Sequence, residues 1–337
     1  MRGGAALLVR LLRNPIAAER IGPEAWSEVI AAARAESLLG SLASRLGGMP
    51  LPAKLGALLD DARRDAERAR VQALWEAEMA RRALARLEVP VVLLKGTAYV
   101  AAGLSAGVGR SIGDLDILVP HHRLQAVQAA LIDAGWEWVK EDGYDDLYYR
   151  RWMHELPPLI HRERDRMIDV HHTILPLTAR RRPSAAALIA ASERLGNGLR
   201  VLAPADMIVH AAAHLFADGD LAGGLRNLWD IDRLVRDFGA RQGFWTELEQ
   251  RARLHQLLGP VARSLRLSAA LYGTSVDIAL AGPARLSDRM YIRRLLARDG
   301  WGRATRPAVR LAFYIRSHWL RMPPLLLARH LWVKARR

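Results

Sequence analysis

The stretch over residues 89–120 constrains the fold of this chain more than any other. Its apolar run at 89–94 predicts a buried strand, and Asp114-Leu115-Asp116 opens a second one. Side chains two residues apart on a strand point to the same face, so Asp114 and Asp116 project together. Two carboxylates on one face of a core-like strand cost free energy unless a cation lies between them. A divalent metal with oxygen ligands is the natural candidate.

The order of motifs in this stretch resembles a known family. A strand, Lys-Gly-Thr, a helix, Arg110 and an Asp-x-Asp strand follow one another as in nucleotidyltransferases of the DNA polymerase beta type. The pattern LLKG(x)13R(x)3DLDILV is most similar to the branch of bacterial uncharacterised nucleotidyltransferases. That family needs a third carboxylate on a later strand, and Asp169, between Ile168 and Val170, is the residue that matches.

The resemblance implies a metal-dependent enzyme. Asp114, Asp116 and Asp169 would hold Mg²⁺, or Mn²⁺, and would transfer a nucleoside monophosphate from an NTP, such as ATP, to an acceptor hydroxyl with release of pyrophosphate. Asp169 is the carboxylate expected to help activate that hydroxyl. A sugar, a small molecule, a protein side chain and an RNA end all remain open as the acceptor. The alternative is that the three aspartates are strand-end or turn residues exposed to water.

Four residues are candidates for nucleotide binding: Lys95, Gly96, Thr97 and Arg110. The glycine and the first amides of the following helix can approach a phosphate, although a simple tight turn explains them equally well. Lys95 either reaches the triphosphate or packs beneath the sheet. Arg110 either binds phosphate or forms a salt bridge that holds Asp114 or Asp116 in place.

Five further residues are candidate substrate contacts. His171 shares the strand face of Asp169, and a structural histidine is the alternative. His210 and His214 lie four apart on one helix face, which is a zinc-ligand spacing, but no Glu follows His210 to complete a His-Glu-x-x-His motif. Arg226 and Asp230 are spaced in the same way on the next helix, and a buried hydrogen-bonded network between the two helices is the alternative for both pairs.

The hydrophobic pattern predicts an α+β fold, with a small mixed β-sheet flanked by N-terminal and C-terminal helical regions, and the resemblance implies that this sheet is a nucleotidyltransferase core. The expected divisions are 1–87, 88–180 and 181–337. Within the core, a helix is expected at 122–134 and strands at 136–139, 147–154 and 167–174, with a turn at 141–143. Charged residues of the helix at 54–87 are expected to form a solvated face.

Composition limits the classes of protein. The absence of cysteine excludes disulfides, thiolate zinc sites and a cysteine nucleophile. The net charge of +15 suggests a polyanionic partner, although lysine occurs only at four positions and arginine-rich composition also follows from a GC-rich genome. Residues 285–337 combine many arginines with aromatics, which suggests an anionic membrane surface, nucleic acid or plain helix packing. A poor export signal and no long apolar run favour a cytoplasmic protein, peripheral at the membrane if this segment binds lipid.

Two alternatives to the enzyme therefore stay open. One is a non-catalytic nucleotide-binding or membrane-surface scaffold. The other is a nucleic-acid-binding protein that uses the basic C-terminal region, with salt-sensitive affinity. Nothing in the sequence indicates the base preference or the oligomeric state.

Overall fold

Helices make up most of the molecule. A computed structural model describes residues 3–139, 149, 152–217 and 220–321. The α-helices in these ranges, numbered here in chain order, are α1 Gly4–Arg13, α2 Pro23–Ala35, α3 Leu39–Arg45, α4 Ala53–Leu84, α5 Lys95–Ala101, α6 Leu124–Asp133, α7 Ala185–Ala191, α8 Pro204–Ala217, α9 Gly224–Phe238, α10 Phe244–Leu254, α11 Leu258–Tyr272, α12 Ile278–Ala281, α13 Leu286–Leu295 and α14 Pro307–Arg321. Single 3₁₀ turns lie at Pro15–Arg20, Ala85–Leu87, Ser105–Gly107 and His121–Arg123.

One mixed sheet of seven strands carries the core of the described part. The strands are β1 Val92–Leu93, β2 Asp114–Leu118, β3 Trp136–Trp138, β4 Leu159–His161, β5 Met167–His171, β6 Glu193–Arg194 and β7 Arg200–Val201. Their order across the sheet is β3-β4-β5-β2-β1-β7-β6. The α+β class predicted from the sequence, a small mixed sheet with flanking helices, is confirmed.

The central strands position the acidic residues. β2 pairs in parallel with β5 and antiparallel with β1, while β1 pairs in parallel with β7. Leu115 and Ile117 are buried on one face of β2, and Ile168 and Val170 occupy the matching positions of β5. Because side chains alternate along a strand, the acidic positions of both strands lie on the opposite face.

The long helix α4 shows the charge pattern expected for a partly solvated face. Its buried positions, which include Leu59, Ala62 and Ala77, face the core. The arginines of its outer face pair with acids three residues earlier, as Arg64 does with Asp61, and these pairs are exposed. Exposed pairs of this kind add little stability, so apolar burial holds α4 in place.

Several strand predictions need correction. The strand expected at 89–94 is regular only at Val92–Leu93, and the strand at 167–174 ends at His171. β4 and the β6–β7 hairpin were not predicted. The turn at 141–143 and half of the strand expected at 147–154 lie outside the described residues. The described half contradicts that strand, because Tyr149 and Trp152 are helical and neither Met153 nor His154 belongs to a strand.

The C-terminal helices pack against the N-terminal ones. Arg298 pairs with Glu36 of the N-terminal region, and both Arg294 and Arg310 pair with Asp220. These three arginines of 285–321 therefore neutralise acids from other segments, while residues 322–337 lie outside the described part. Across the described residues, we find no helix of the length and apolarity needed to cross a membrane.

Candidate active site

Three carboxylates meet on one face of the paired strands β2 and β5. Asp116 lies directly opposite Asp169 in the parallel register, and Asp114 is two residues before Asp116 on the same face. One oxygen atom of each carboxylate lies within 4.8 Å of the others. The three residues predicted as metal ligands are thus brought together by strand pairing between segments more than 50 residues apart in sequence.

Two cationic or protonatable groups hold Asp116, which is almost fully buried. Lys95 Nζ donates to Asp116 Oδ1 at 2.6 Å, and His171 Nε2 lies 2.9 Å from the same oxygen. Burial by itself would raise the pKa of the Asp116 carboxyl, but the Lys95 ammonium and the His171 imidazole outweigh it and hold this pKa well below its usual value. Asp116 is therefore a carboxylate at neutral pH.

Lys95 reaches Asp116 from an unfavourable backbone conformation. Its φ of 49° places it in the left-handed region at the first residue of α5. A residue with a β-carbon pays about 1–2 kcal/mol there. Its ammonium keeps a raised pKa, because attraction to Asp116 more than compensates for burial. The strained backbone aims this ammonium at the acidic cluster.

Asp169 has the opposite electrostatic character from Asp116. Burial, together with the negative charges of Asp116 and Glu155, raises the pKa of Asp169 to about 7. At neutral pH this carboxyl group is therefore poised to accept or release a proton. Two facing carboxyl groups with such different pKa values are typical of acid–base and metal sites.

A cavity of about 210 Å³ opens beside Asp169. Three of the predicted substrate-contact residues line it: His210 and His214 of α8, and His171 of β5. Burial, then the charge of Lys95, lowers the pKa of His210 well below 6.5, so its imidazole is neutral. The remaining lining residues are Lys95, Met153, His154, Glu155, Asp169, Ile174, Leu175 and Pro176.

A comparison with protein families agrees with this geometry. A family model described as "Uncharacterised nucleotidyltransferase" matches residues 22–273, about three quarters of the chain. The chain belongs to this nucleotidyltransferase family. The match confirms the resemblance seen in residues 89–173 and supports a general role in nucleotidyl transfer with an NTP as substrate. Among curated proteins there is no match.

In this nucleotidyltransferase, Gly96 and Thr97 are buried beneath the acidic face. A β-carbon at Gly96 would lie 2.5 Å from Arg110 Nε and 3.2 Å from the Ile112 side chain. The glycine is thus required for close packing against Arg110. Of the Lys-Gly-Thr segment, Lys95 alone lines the cavity beside Asp169.

Arg110, Arg226 and Asp230 form a buried network to one side of the cavity of this nucleotidyltransferase. Arg110 pairs with Asp230, and neither Asp114 nor Asp116 is its ion-pair partner here. Arg226 Nη1 lies 3.3 Å from Asp230 Oδ1, and its Nη2 donates to the Ser37 carbonyl at 2.8 Å. None of the three lines the cavity. These contacts form a buried network that links α9 to the loop before α3 and to the segment before β2, whereas the alternative expected from the sequence was a network between α8 and α9.

His154 and Glu155 are cavity residues to which the sequence assigned no role. Their segment pairs antiparallel with the end of β5, where Leu156 N donates to the Val170 carbonyl and His172 N to the His154 carbonyl. This pairing places Glu155 opposite His171. The signal available in the sequence was the adjacent His-Glu pair, but its partner strand could not be inferred without the fold.

Proposed function

We propose that the protein is a divalent-metal-dependent nucleotidyltransferase that moves a nucleoside monophosphate from an NTP to an acceptor hydroxyl and releases pyrophosphate. The observation that carries this proposal is the register of β2 and β5, which sets Asp116 against Asp169 with Asp114 on the same face.

The donor set fits a hard divalent cation. It consists of carboxylate oxygens, the ligands preferred by Mg²⁺ and Mn²⁺. Two oxygens on one Mg²⁺ are at most about 4.2 Å apart, so the observed limit of 4.8 Å needs only a small closure. Besides burial, repulsion from the neighbouring carboxylates raises the pKa of Asp169, and a bound cation would offset this repulsion. Lys95 and His171 both bond Oδ1 of Asp116, so Oδ2 is the oxygen available for the metal.

Asp114, Asp116 and Asp169 would hold the ion, which would supply positive charge beside the transferring phosphoryl oxygens. The chain itself supplies the proton acceptor. Asp169 borders the cavity, so it can take the proton of an acceptor hydroxyl while that oxygen forms its bond to the α-phosphorus and the bond to pyrophosphate breaks. With the repulsion from its neighbours offset by the cation, Asp169 would be in the carboxylate form, which is the form that can accept this proton.

The walls of the cavity would orient the reactants. Lys95 lines the cavity. When nucleotide binds, its ammonium can leave Asp116 and donate a hydrogen bond to a phosphate oxygen instead. Ile174, Leu175 and Pro176 make one side apolar, which limits access of water as a competing acceptor. The neutral His210 can hydrogen-bond the acceptor from α8.

Parallel reactions with NTP labelled at the α- or the γ-phosphate would test this proposal. Each would contain Mg²⁺ or Mn²⁺ and a panel of sugars, small alcohols, protein and RNA. We expect α-label in an acceptor and γ-label only in pyrophosphate. Asp116→Asn should lower transfer by about 100-fold or more, since one charged ligand is lost. Asp133→Asn, an exposed position at the end of α6, is the matched control. Transfer of the γ-label, or full activity in Asp116→Asn, would refute the proposal.

A further inference from the structure

A second cluster of potential metal ligands lies in the wall of the cavity, beside the aspartates. His154, Glu155 and His171 each bring one ligand atom within 4.8 Å of the other two. The antiparallel pairing of residues 154–156 with the end of β5 fixes this arrangement, because it sets Glu155 across from His171. Backbone pairing therefore holds the cluster in place. Two of its three residues are histidines, which offer nitrogen ligands that the aspartate site lacks.

The Nδ1 atom of His171 faces the Glu155 carboxylate. This atom is buried and makes no hydrogen bond among the described residues, and Glu155 Oε2 lies 3.3 Å away. At the other side of the ring, Nε2 lies 2.9 Å from Asp116 Oδ1. A metal cation between Nδ1 and the Glu155 carboxylate would give this buried nitrogen a partner.

The spacing of the ligand atoms favours a metal. His154 Nε2 lies 3.5 Å from the same Glu155 oxygen. Ligand atoms of a tetrahedral zinc site with bonds of about 2.0–2.1 Å are separated by about 3.3–3.4 Å, and the two observed separations bracket that value. His154 borders the cavity, and the centroid of its ring lies 5.2 Å from that of His171, so the three ligand atoms are within reach of one ion.

The surroundings also match a zinc-type site. The bond from His171 Nε2 to Asp116 is the carboxylate–histidine arrangement that orients a metal-binding imidazole through its second nitrogen. His154, Glu155 and His171 all line the cavity, as do His210 and His214, so an ion held by the first three would have a fourth position open to the cavity. Three protein ligands with a fourth position open to a cavity are typical of zinc sites that bind another molecule.

We infer that His154, Glu155 and His171 form a binding site for a zinc-type transition-metal ion, distinct from the aspartate site. Its open position would take an oxygen or nitrogen donor from the molecule in the cavity. Two imidazoles and one carboxylate prefer Zn²⁺ and its neighbours in the first transition row over Mg²⁺. This inference does not depend on nucleotidyl transfer, because the ligand set and its geometry stand without it.

Titration of the chelator-treated full chain with Co²⁺ would test the inference, because tetrahedral Co²⁺ absorbs strongly in the visible range and Zn²⁺ should displace it. We expect one Co²⁺ per chain in the wild type. Glu155→Gln and His154→Gln should each weaken binding by about 10-fold to 100-fold or abolish it. Asp114→Asn, which alters only the aspartate site, should retain the Co²⁺ spectrum, and an excess of Mg²⁺ should leave it unchanged. Circular dichroism would verify that each variant is folded.

Three results would overturn the inference. Failure of the folded wild type to bind Co²⁺ or Zn²⁺ would show that the cluster is not a metal site. Binding that survives in both Glu155→Gln and His154→Gln would place the ion elsewhere. Binding lost in Asp114→Asn, or displaced by Mg²⁺, would assign the ion to the aspartate site.

Discussion

Replacing Asp169 with asparagine should stabilise the metal-free protein, and the gain should increase with pH. The pKa of this carboxyl is about 7 in the folded protein, against 3.8 for an unperturbed aspartate. The folded chain therefore retains a proton that the unfolded chain releases from about pH 4 upward. Stability falls as pH rises from about 4 to about 7 and stays lowered above that. Asparagine cannot ionise, so it removes this loss.

The magnitude follows from the difference between the two pKa values. A difference of about 3 units corresponds to an upper limit of about 4 kcal/mol above pH 7. Asp169 is only partly buried and borders a solvent-accessible cavity, so we expect about 1–2 kcal/mol. For a chain of this size, such a gain raises the midpoint of thermal unfolding by about 1.5–3 °C. At pH 5 the unfolded chain has already released this proton while the folded wild type retains it, so about a third of the gain should be present, and the two proteins should unfold at nearly the same temperature only at about pH 4 or below.

Thermal unfolding in excess chelator at pH 5, 6, 7 and 8 measures this effect, with Asp133→Asn as a control for an exposed aspartate. Saturating Mg²⁺ and nucleotide should reverse the order at pH 8, because binding stabilises the wild type and the variant lacks one ligand. Destabilisation of Asp169→Asn by the same amount at every pH would refute the electrostatic account of Asp169.

Two other substitutions test the packing and charge of the site. Lys95→Ala should cost about 2–3 kcal/mol of stability, because it leaves the buried Asp116 with one partner. In a double-mutant cycle measured by thermal unfolding, adding Asp116→Asn should recover part of that loss. Additive losses would show that the two residues are not coupled. Gly96→Ala should cost about 1–3 kcal/mol because its β-carbon would collide with Arg110, whereas Gly113→Ala, with open space around the new atom, should change stability by less than about 0.5 kcal/mol. Equal effects of the two glycine substitutions would contradict the close approach at Gly96.

The sequence predicted the acidic site well, because the information is local. Alternation along a strand puts Asp114 and Asp116 on one face, and the same rule puts His171 on the face of Asp169. The family resemblance added that Asp169 joins the first two. What local pattern cannot supply is the register that sets Asp116 directly opposite Asp169, since register depends on the pairing of distant strands.

The missed features have two causes. Some depend on contacts between distant segments: Arg110 pairs with Asp230, 120 residues later, and Glu155 faces His171 through a pairing that the expected strand at 147–154 obscured. The β6–β7 hairpin is different, because its turn contains Asn197-Gly198, a recognised hairpin signal. The two flanking strands have only two residues each, too short for the alternation that identifies a strand.

Electron paramagnetic resonance of Mn²⁺ most directly tests the central claim that the three aspartates bind a divalent metal with nucleotide. The full chain would be titrated with Mn²⁺ in the presence of a non-hydrolysable NTP analogue, so that no acceptor is needed. The account predicts protein-bound Mn²⁺ in the wild type and in Asp133→Asn, and loss of at least about 10-fold in affinity in Asp114→Asn and Asp169→Asn. Unchanged Mn²⁺ binding in both variants, or none in the folded wild type, would contradict it.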